Sequence, residues 1–189
     1  MKDLTQLRDL ALARVRGALV SRRGGVDFKA VGRGFRCYGI RQMSGADISV
    51  GDNCWFEAIT EYKGARFTPR LSLGSRTSFS SGVHISAVLG VTIHADCLFG
   101  SNVYIGDHSH GSTKAGRVRL DLPPASRPLE DAGEIVIGDR VWVGDGAVIL
   151  AGTRIGDGCV VGANSVVKGT FPAGSLIVGA PARVAGDLA

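Results

Sequence analysis

Five consecutive residues hold the densest chemistry in the chain. Asp107-His108-Ser109-His110-Gly111 sets a carboxylate and two imidazoles within four residues. Histidine titrates near neutral pH and is the usual side chain for taking a proton in a reaction. A carboxylate or carbonyl on one ring nitrogen would fix the tautomer and leave the other nitrogen free to act. The spacing points to a general base with an orienting acid, and it leaves His108 and His110 open for the base. Asp107 is the orienting candidate, although it could equally serve to turn a corner. His84 and His94 lack such company and read as structural.

These residues need a scaffold, and the sequence beyond them supplies a regular one. From Ile137 the chain runs in sixes: IGDRVW, VGDGAV, ILAGTR, IGDGCV, VGANSV, VKGTFP. Position one is Ile or Val throughout, and position five is small or β-branched until the last unit. So short a period marks a solenoid in which each six forms one short strand. Three sixes make one triangular coil, so Ile137 and Ile155 should lie one above the other. Positions one and five point inward. Glycine at position two serves the corner, where a side chain would clash or φ must be positive. The expected fold is an all-β solenoid, a parallel β-helix of hexapeptide repeats.

Earlier hexads begin at Val50, Leu73 and Ile93. Leu73 and Ile93 lie 20 residues apart instead of 18, so one corner should bulge. Ile93 and Ile137 lie 44 apart, which requires an inserted loop at about 111–134, carrying Arg117, Arg119 and Arg127. An ordered loop that long is usually functional. Residues 58–70 break the repeat and match no motif. Pro172 ends the hexads, Ser175–Val178 can add a strand, and 172–189 form a C-terminal tail. The expected division is a helical segment 1–25 and a β-helix domain 26–189.

In the N-terminal segment Leu4, Leu7, Ala11, Val15 and Ala18 fall at helical spacing, with Arg14, Arg16, Arg22 and Arg23 clustered toward the end. Such a helix could touch an anionic membrane surface or cover the open end of the solenoid. No run of 18 apolar residues and no signal-peptide core occurs, so a cytoplasmic protein is expected, with the inner membrane face as a further option. Cys54, Cys97 and Cys159 fall at position five and read as small core residues, with no metal expected. A net charge of +5 suits an anionic partner but is too small to argue for nucleic acid.

The chain resembles the hexapeptide-repeat acyltransferases with a left-handed β-helix, and among them the sugar and polysaccharide O-acetyltransferases. The resemblance rests on Asp107–Gly111, Arg127-Pro128-Leu129, the stretch Ile137-Gly-Asp-Arg-Val-Trp-Val-Gly144, and Val178-Gly-Ala-Pro-Ala-Arg-Val184. It implies an acetyl-CoA-dependent acyltransferase acting on a hydroxyl of a sugar or cell-surface polysaccharide unit. A histidine base would activate the hydroxyl for direct attack on the thioester. It ranks His110 first as the base and His108 second. It implies that Trp142, Gly144, Ala163, Lys168 and Arg183 meet acetyl-CoA, although Trp142 could be plain surface packing and the two cations solvated. Arg127 becomes a candidate for the acceptor. The resemblance further implies a homotrimer with active sites between subunits.

Three other readings compete. An aminosugar N-acetyltransferase would use the same scaffold on an amine. A non-catalytic β-helix scaffold would not bind acetyl-CoA. A protein like the γ-class carbonic anhydrases would bind zinc through three histidines, but His108 and His110 are too closely spaced for that ligand pattern.

Overall fold

The computed structural model describes residues 4–22 and 24–188, with side chains from residue 8 onward. It is mostly β, with one α-helix, Leu4–Ser21, among the described residues. Short parallel strands stack in three columns, the first two joined in one 13-stranded sheet and the third forming a separate six-stranded sheet. The first column runs from Met43–Gly45 through Arg70–Leu73, Gly90–Ile93, Ile135–Ile137 and Arg154–Ile155 to Thr170–Phe171. The second runs from Ser49–Val50 through Ser78–Phe79, Leu98–Phe99, Trp142–Val143 and Val160–Val161 to Ser175–Gly179. The third joins Arg36–Tyr38, Trp55–Ala58, His84–Ala87, Tyr104–Gly106, Val148–Leu150 and Val166–Val167. Strand Met43–Val50 belongs to both of the first two columns.

The hexad frame predicts the register. Ile137 pairs with Ile155, Leu73 with Ile93 across the 20-residue coil, and Ile93 with Ile137 across the insertion. Position-one residues Ile137, Val143, Ile149, Ile155, Val161 and Val167 are all buried, as are Val141, Ala147, Thr153, Cys159 and Ser165 at position five. Each buried Ile or Val contributes on the order of 1.5–3 kcal/mol relative to exposure. The frame shortens after Val167, because Phe171 pairs with Ile155 and Ile177 with Val161, both 16 residues on. The tail then turns back, and Ala182–Asp187 pairs antiparallel with Ser175–Gly179.

The two reasons offered for glycine separate. Position-two Gly138, Gly144 and Gly156 are there for space: a Cβ would lie 2.7, 2.7 and 2.4 Å from a backbone nitrogen of the next coil. Positive φ belongs to position four, which holds Asn53, Arg76, Asp96, Asn102, Arg140, Gly146, Gly152, Gly158 and Asn164. That corner bends through the left-handed region whatever residue occupies it.

The helix packs through a different stripe from the one expected. Ala11 and Ala18 are exposed and Val15 is 56% exposed, while Gly17 is buried. A Cβ on Gly17 would lie 2.6 Å from the Phe28 carbonyl oxygen, so glycine lets the helix backbone approach strand Val26–Val31. Ser21 Oγ donates to the Gly17 carbonyl and accepts from the Phe28 N–H, both at 2.8 Å. The side chains of Leu4 and Leu7, and Arg23 entirely, lie outside the described residues.

Candidate active site

The outward side of the third column carries two ladders of side chains. Position six of successive hexads puts Arg36, Trp55, His84 and Tyr104 in register. Arg36 lies over the Trp55 ring at 4.4 Å, and His84 stacks on that ring at 4.4 Å and 7°. The Tyr104 ring meets His84 edge-on at 5.3 Å. Two residues further along each strand come Tyr38, Glu57, Ser86 and Gly106. Glu57 Oε1 accepts from Ser86 Oγ at 2.7 Å and lies 3.3 Å from His84 Nε2. Burial pushes the Glu57 carboxyl up, but hydrogen bonds from His84 and Ser86 outweigh it and hold the group below the ordinary range. Burial, with Glu57 and Asp107 nearby, pushes the Tyr104 phenol up.

Over this platform the chain leaves the coil. After Gly106 the Asp107 N–H still donates to Ser86, then Ser109–His110 pairs antiparallel with Leu129–Glu130. His110 therefore does not occupy the hexad position that its spacing from Ile105 suggests. Ser112 and Thr113 are tied to Asp131, closing the neck of the excursion. A hairpin, Glu61–Tyr62 paired with Ala65–Arg66, rises from the unmatched segment 58–70. Its Tyr62 hydroxyl lies 3.3 Å from both His110 Nδ1 and the Ala125 carbonyl, which also accepts from Lys63 Nζ. The hairpin thus grips the long loop from the opposite side.

Platform, loop and hairpin enclose a cavity of about 890 Å³ lined by His84, His108 and His110 together with Glu57, Tyr62 and Trp55. The two candidate bases differ in surroundings. Asp107 is fully buried and His108 nearly so, at 6% side-chain exposure, with Nδ1 2.9 Å from Asp107 Oδ1. With Asp107 as the acceptor of this contact, His108 donates through Nδ1–H, which leaves Nε2 as the ring nitrogen not engaged by the carboxylate. Asp107 also accepts from the N–H groups of Val88, Leu89 and Gly90 at 2.8–3.2 Å. Those residues are the bulged corner of the 20-residue coil. His110 is exposed, and among the described residues its ring has a hydrogen-bond contact with Tyr62 alone.

The remaining expected residues lie elsewhere. Trp142, 53% exposed, lines a groove of about 250 Å³ with Gly144 and Ala163 on the second column. Arg183 belongs to the strand added at the end of that column, paired with Val178. Lys168 is exposed beyond the third column. None of these lines the histidine cavity. Arg127 does not line it either: its Nε donates to the Leu122 carbonyl at 3.1 Å, and its stem packs on Gly111, bracing the loop. Away from the cavity, His94, Asp139 and Asp157 bring donor atoms within 4.8 Å of one another. Asp139 and Asp157 there already accept backbone N–H groups from the coil corners. Sequence reasoning passed over Trp55, Glu57, Tyr62 and Tyr104, and set His84 aside. Aligning position six across the irregular coils would have put Trp55, His84 and Tyr104 in one column.

The repeat and its stacking define a hexapeptide-repeat domain, and residues 134–169 match the bacterial transferase hexapeptide (six repeats) family. The chain is homologous to the Escherichia coli K12 protein WbbJ, named as a lipopolysaccharide biosynthesis O-acetyl transferase. The two are 47% identical over 104 residues, 54% of this chain and 53% of WbbJ. Rv3034c of Mycobacterium tuberculosis, named as an acetyltransferase, is 30% identical over 82% of this chain and 48% of its own length. The chain thus spans about half the length of these relatives. Among solved structures, the Vibrio cholerae hexapeptide-repeat acetyltransferase VCA0836, in complex with acetyl-CoA, is 25% identical. Its TM-score is 0.58, over 93% of this chain and 77% of that one. AntD of Bacillus cereus, an N-acyltransferase solved with dTDP and 3-hydroxybutyryl-CoA, shares the fold. Its TM-score is 0.73 at 16% identity, over 90% of this chain and 87% of that one.

Proposed function

We propose that this protein is an acetyl-CoA-dependent O-acetyltransferase acting on a hydroxyl of a sugar or cell-surface polysaccharide unit. The observation that carries the reading is the Asp107–His108 pair opening into a large cavity, in a chain homologous to WbbJ. The pair favours His108 over His110 as the base, because Asp107 orients the ring through Nδ1 and leaves Nε2 to take a proton. His110, carried with Tyr62 on the loop and hairpin, is suited to contact the acceptor. Acetyl-CoA supplies an activated acyl carbon. His108 Nε2 takes the proton of the acceptor hydroxyl as its oxygen bonds to that carbon. The carbon–sulfur bond breaks, and the proton passes on to the departing thiolate.

The groove at Trp142, Gly144 and Ala163 is the proposed acetyl-CoA contact, with Arg183 on the strand that ends the same column. This groove and the histidine cavity lie on different columns of one chain. We read the coil as left-handed and the protein as a homotrimer in which the second column of one copy faces the third of its neighbour. The cell location is read as cytoplasmic. Contact of the N-terminal helix with the inner membrane face is a further part of this reading, since Leu12, Val15 and Leu19 stay exposed. Among the described residues no helix is long and apolar enough to cross a membrane.

The test is thiol release from acetyl-CoA with a panel of glycosides, amino sugars and surface-glycan fragments. Acceptor-dependent release that is lost in His108→Ala supports the reading. Release with amino sugars alone would move it to N-acetylation. Absence of both release and acetyl-CoA binding would remove the enzyme reading.

A further inference from the structure

The charge of the cavity is the opposite of what a nucleotide sugar needs. Among the described residues, none lining it is Lys or Arg, while Glu57 and Glu61 both do. Two cations beside it already have partners: the Arg36 guanidinium lies over the Trp55 ring, and Lys63 Nζ donates to the Ala125 carbonyl. Within one copy, a pyrophosphate placed here would meet two carboxylates and no Lys or Arg side chain.

Glu57 is built to accept. Its side chain is 17% exposed, and among the described residues its hydrogen bonds, from Ser86 and His84, arrive at Oε1. His84 is itself braced by its stack on Trp55 and by the Tyr104 edge. That leaves Oε2 for whatever fills the cavity that Glu57 lines. An ionised carboxylate has no proton to donate, so its partner must be a donor, and a sugar hydroxyl is one. Tyr38, 57% exposed, and Tyr62 add aromatic surface for the apolar edge of a pyranose ring.

We infer that the acceptor subsite takes an uncharged sugar, with Glu57 Oε2 accepting from its hydroxyls, and excludes a nucleoside diphosphate sugar. This rests on the acetyl-transfer reading and names the acceptor class for the same site. Glu57 acts as a specificity residue: it holds the ring while His108 handles the reacting hydroxyl.

The experiment measures steady-state acetyl transfer by the full chain with three sets of acceptors. These are methyl glycosides of neutral hexoses and deoxyhexoses, methyl glucosaminide, and UDP-glucose with dTDP-glucose. The neutral glycosides should be acetylated, and the nucleotide sugars should neither react nor compete. Glu57→Gln keeps the shape and an acceptor for His84. It should raise the acceptor KM by roughly tenfold or more while leaving kcat within about twofold and the acetyl-CoA KM unchanged. The unchanged acetyl-CoA KM and a retained cooperative thermal transition report that the variant is folded. Preference for a nucleotide sugar or for the amine overturns the inference and leaves acetyl transfer standing, as does a Glu57→Gln variant with an unaltered acceptor KM. Absence of transfer to every acceptor together with absence of acetyl-CoA binding overturns the acetyl-transfer reading, and this inference with it.

Discussion

The Asp107 carboxylate joins His108 to a bulged corner of the coil. One oxygen lies 2.9 Å from His108 Nδ1, and the same group accepts from the N–H groups of Val88, Leu89 and Gly90. The two extra residues of the 20-residue coil are therefore part of what fixes the imidazole.

Asp107→Asn should cost both stability and activity. An amide presents a donor where three backbone donors already converge, and a buried N–H left unsatisfied costs about 1–3 kcal/mol. The melting temperature should fall by several degrees and kcat by about 10²-fold or more, since the His108 tautomer is no longer fixed. Calorimetry and acetyl-transfer kinetics on one preparation check both. Wild-type kcat in the variant would remove Asp107 from the mechanism.

His108→Ala and His110→Ala should separate. The first should lower kcat by about 10²–10⁴-fold with acetyl-CoA binding intact. The second should act mainly on the acceptor KM. The reverse pattern would make His110 the base.

Tyr62→Phe with Lys63→Ala should loosen the loop without unfolding the coil. The pair removes the contacts of the hairpin to Ala125 and His110, exposed bonds worth about 0.5–1.5 kcal/mol each. Limited proteolysis within 113–122 should speed up while the melting temperature barely moves. Equal protection in wild type and variant would show that the hairpin does not hold the loop.

Trp142→Ala should raise the acetyl-CoA KM and leave the acceptor KM alone, because Trp142 lines the groove proposed for acetyl-CoA and not the histidine cavity. Gly144→Ala should do the same and also destabilise, since a Cβ there lies 2.7 Å from the Ala163 nitrogen, and overpacking costs about 1–3 kcal/mol. Unchanged acetyl-CoA kinetics in both would move the cofactor to another face.

Stability should carry an acid-side signature of Glu57. Its folded-state pKa lies below the ordinary 4.5, so it contributes stability that is present above that value and is lost as pH falls through the folded one. Glu57→Gln should therefore have a flatter stability profile on the acid side of 4.5. Denaturant midpoints across that range measure it, and parallel profiles would contradict the assignment.

The sequence by itself determined the scaffold. A six-residue period admits few alternatives to stacked short strands. It predicted the partners of Ile137, Leu73 and Ile93, the buried columns, the bulge and the insertion. It also named Asp107, His108 and His110, because acids and imidazoles that close in sequence can share a site whatever the fold. Only the tertiary structure decided which imidazole is held. His108 differs from His110 through Val88–Gly90, 18 to 20 residues before His108, and Tyr62, 48 residues before His110. It also brought Trp55, His84 and Tyr104 together, since the irregular coils hide their common hexad position. Local spacing specifies a repeat, because each unit contacts the next at a fixed interval. A cavity walled by a loop and a hairpin from different coils depends on contacts that no interval records.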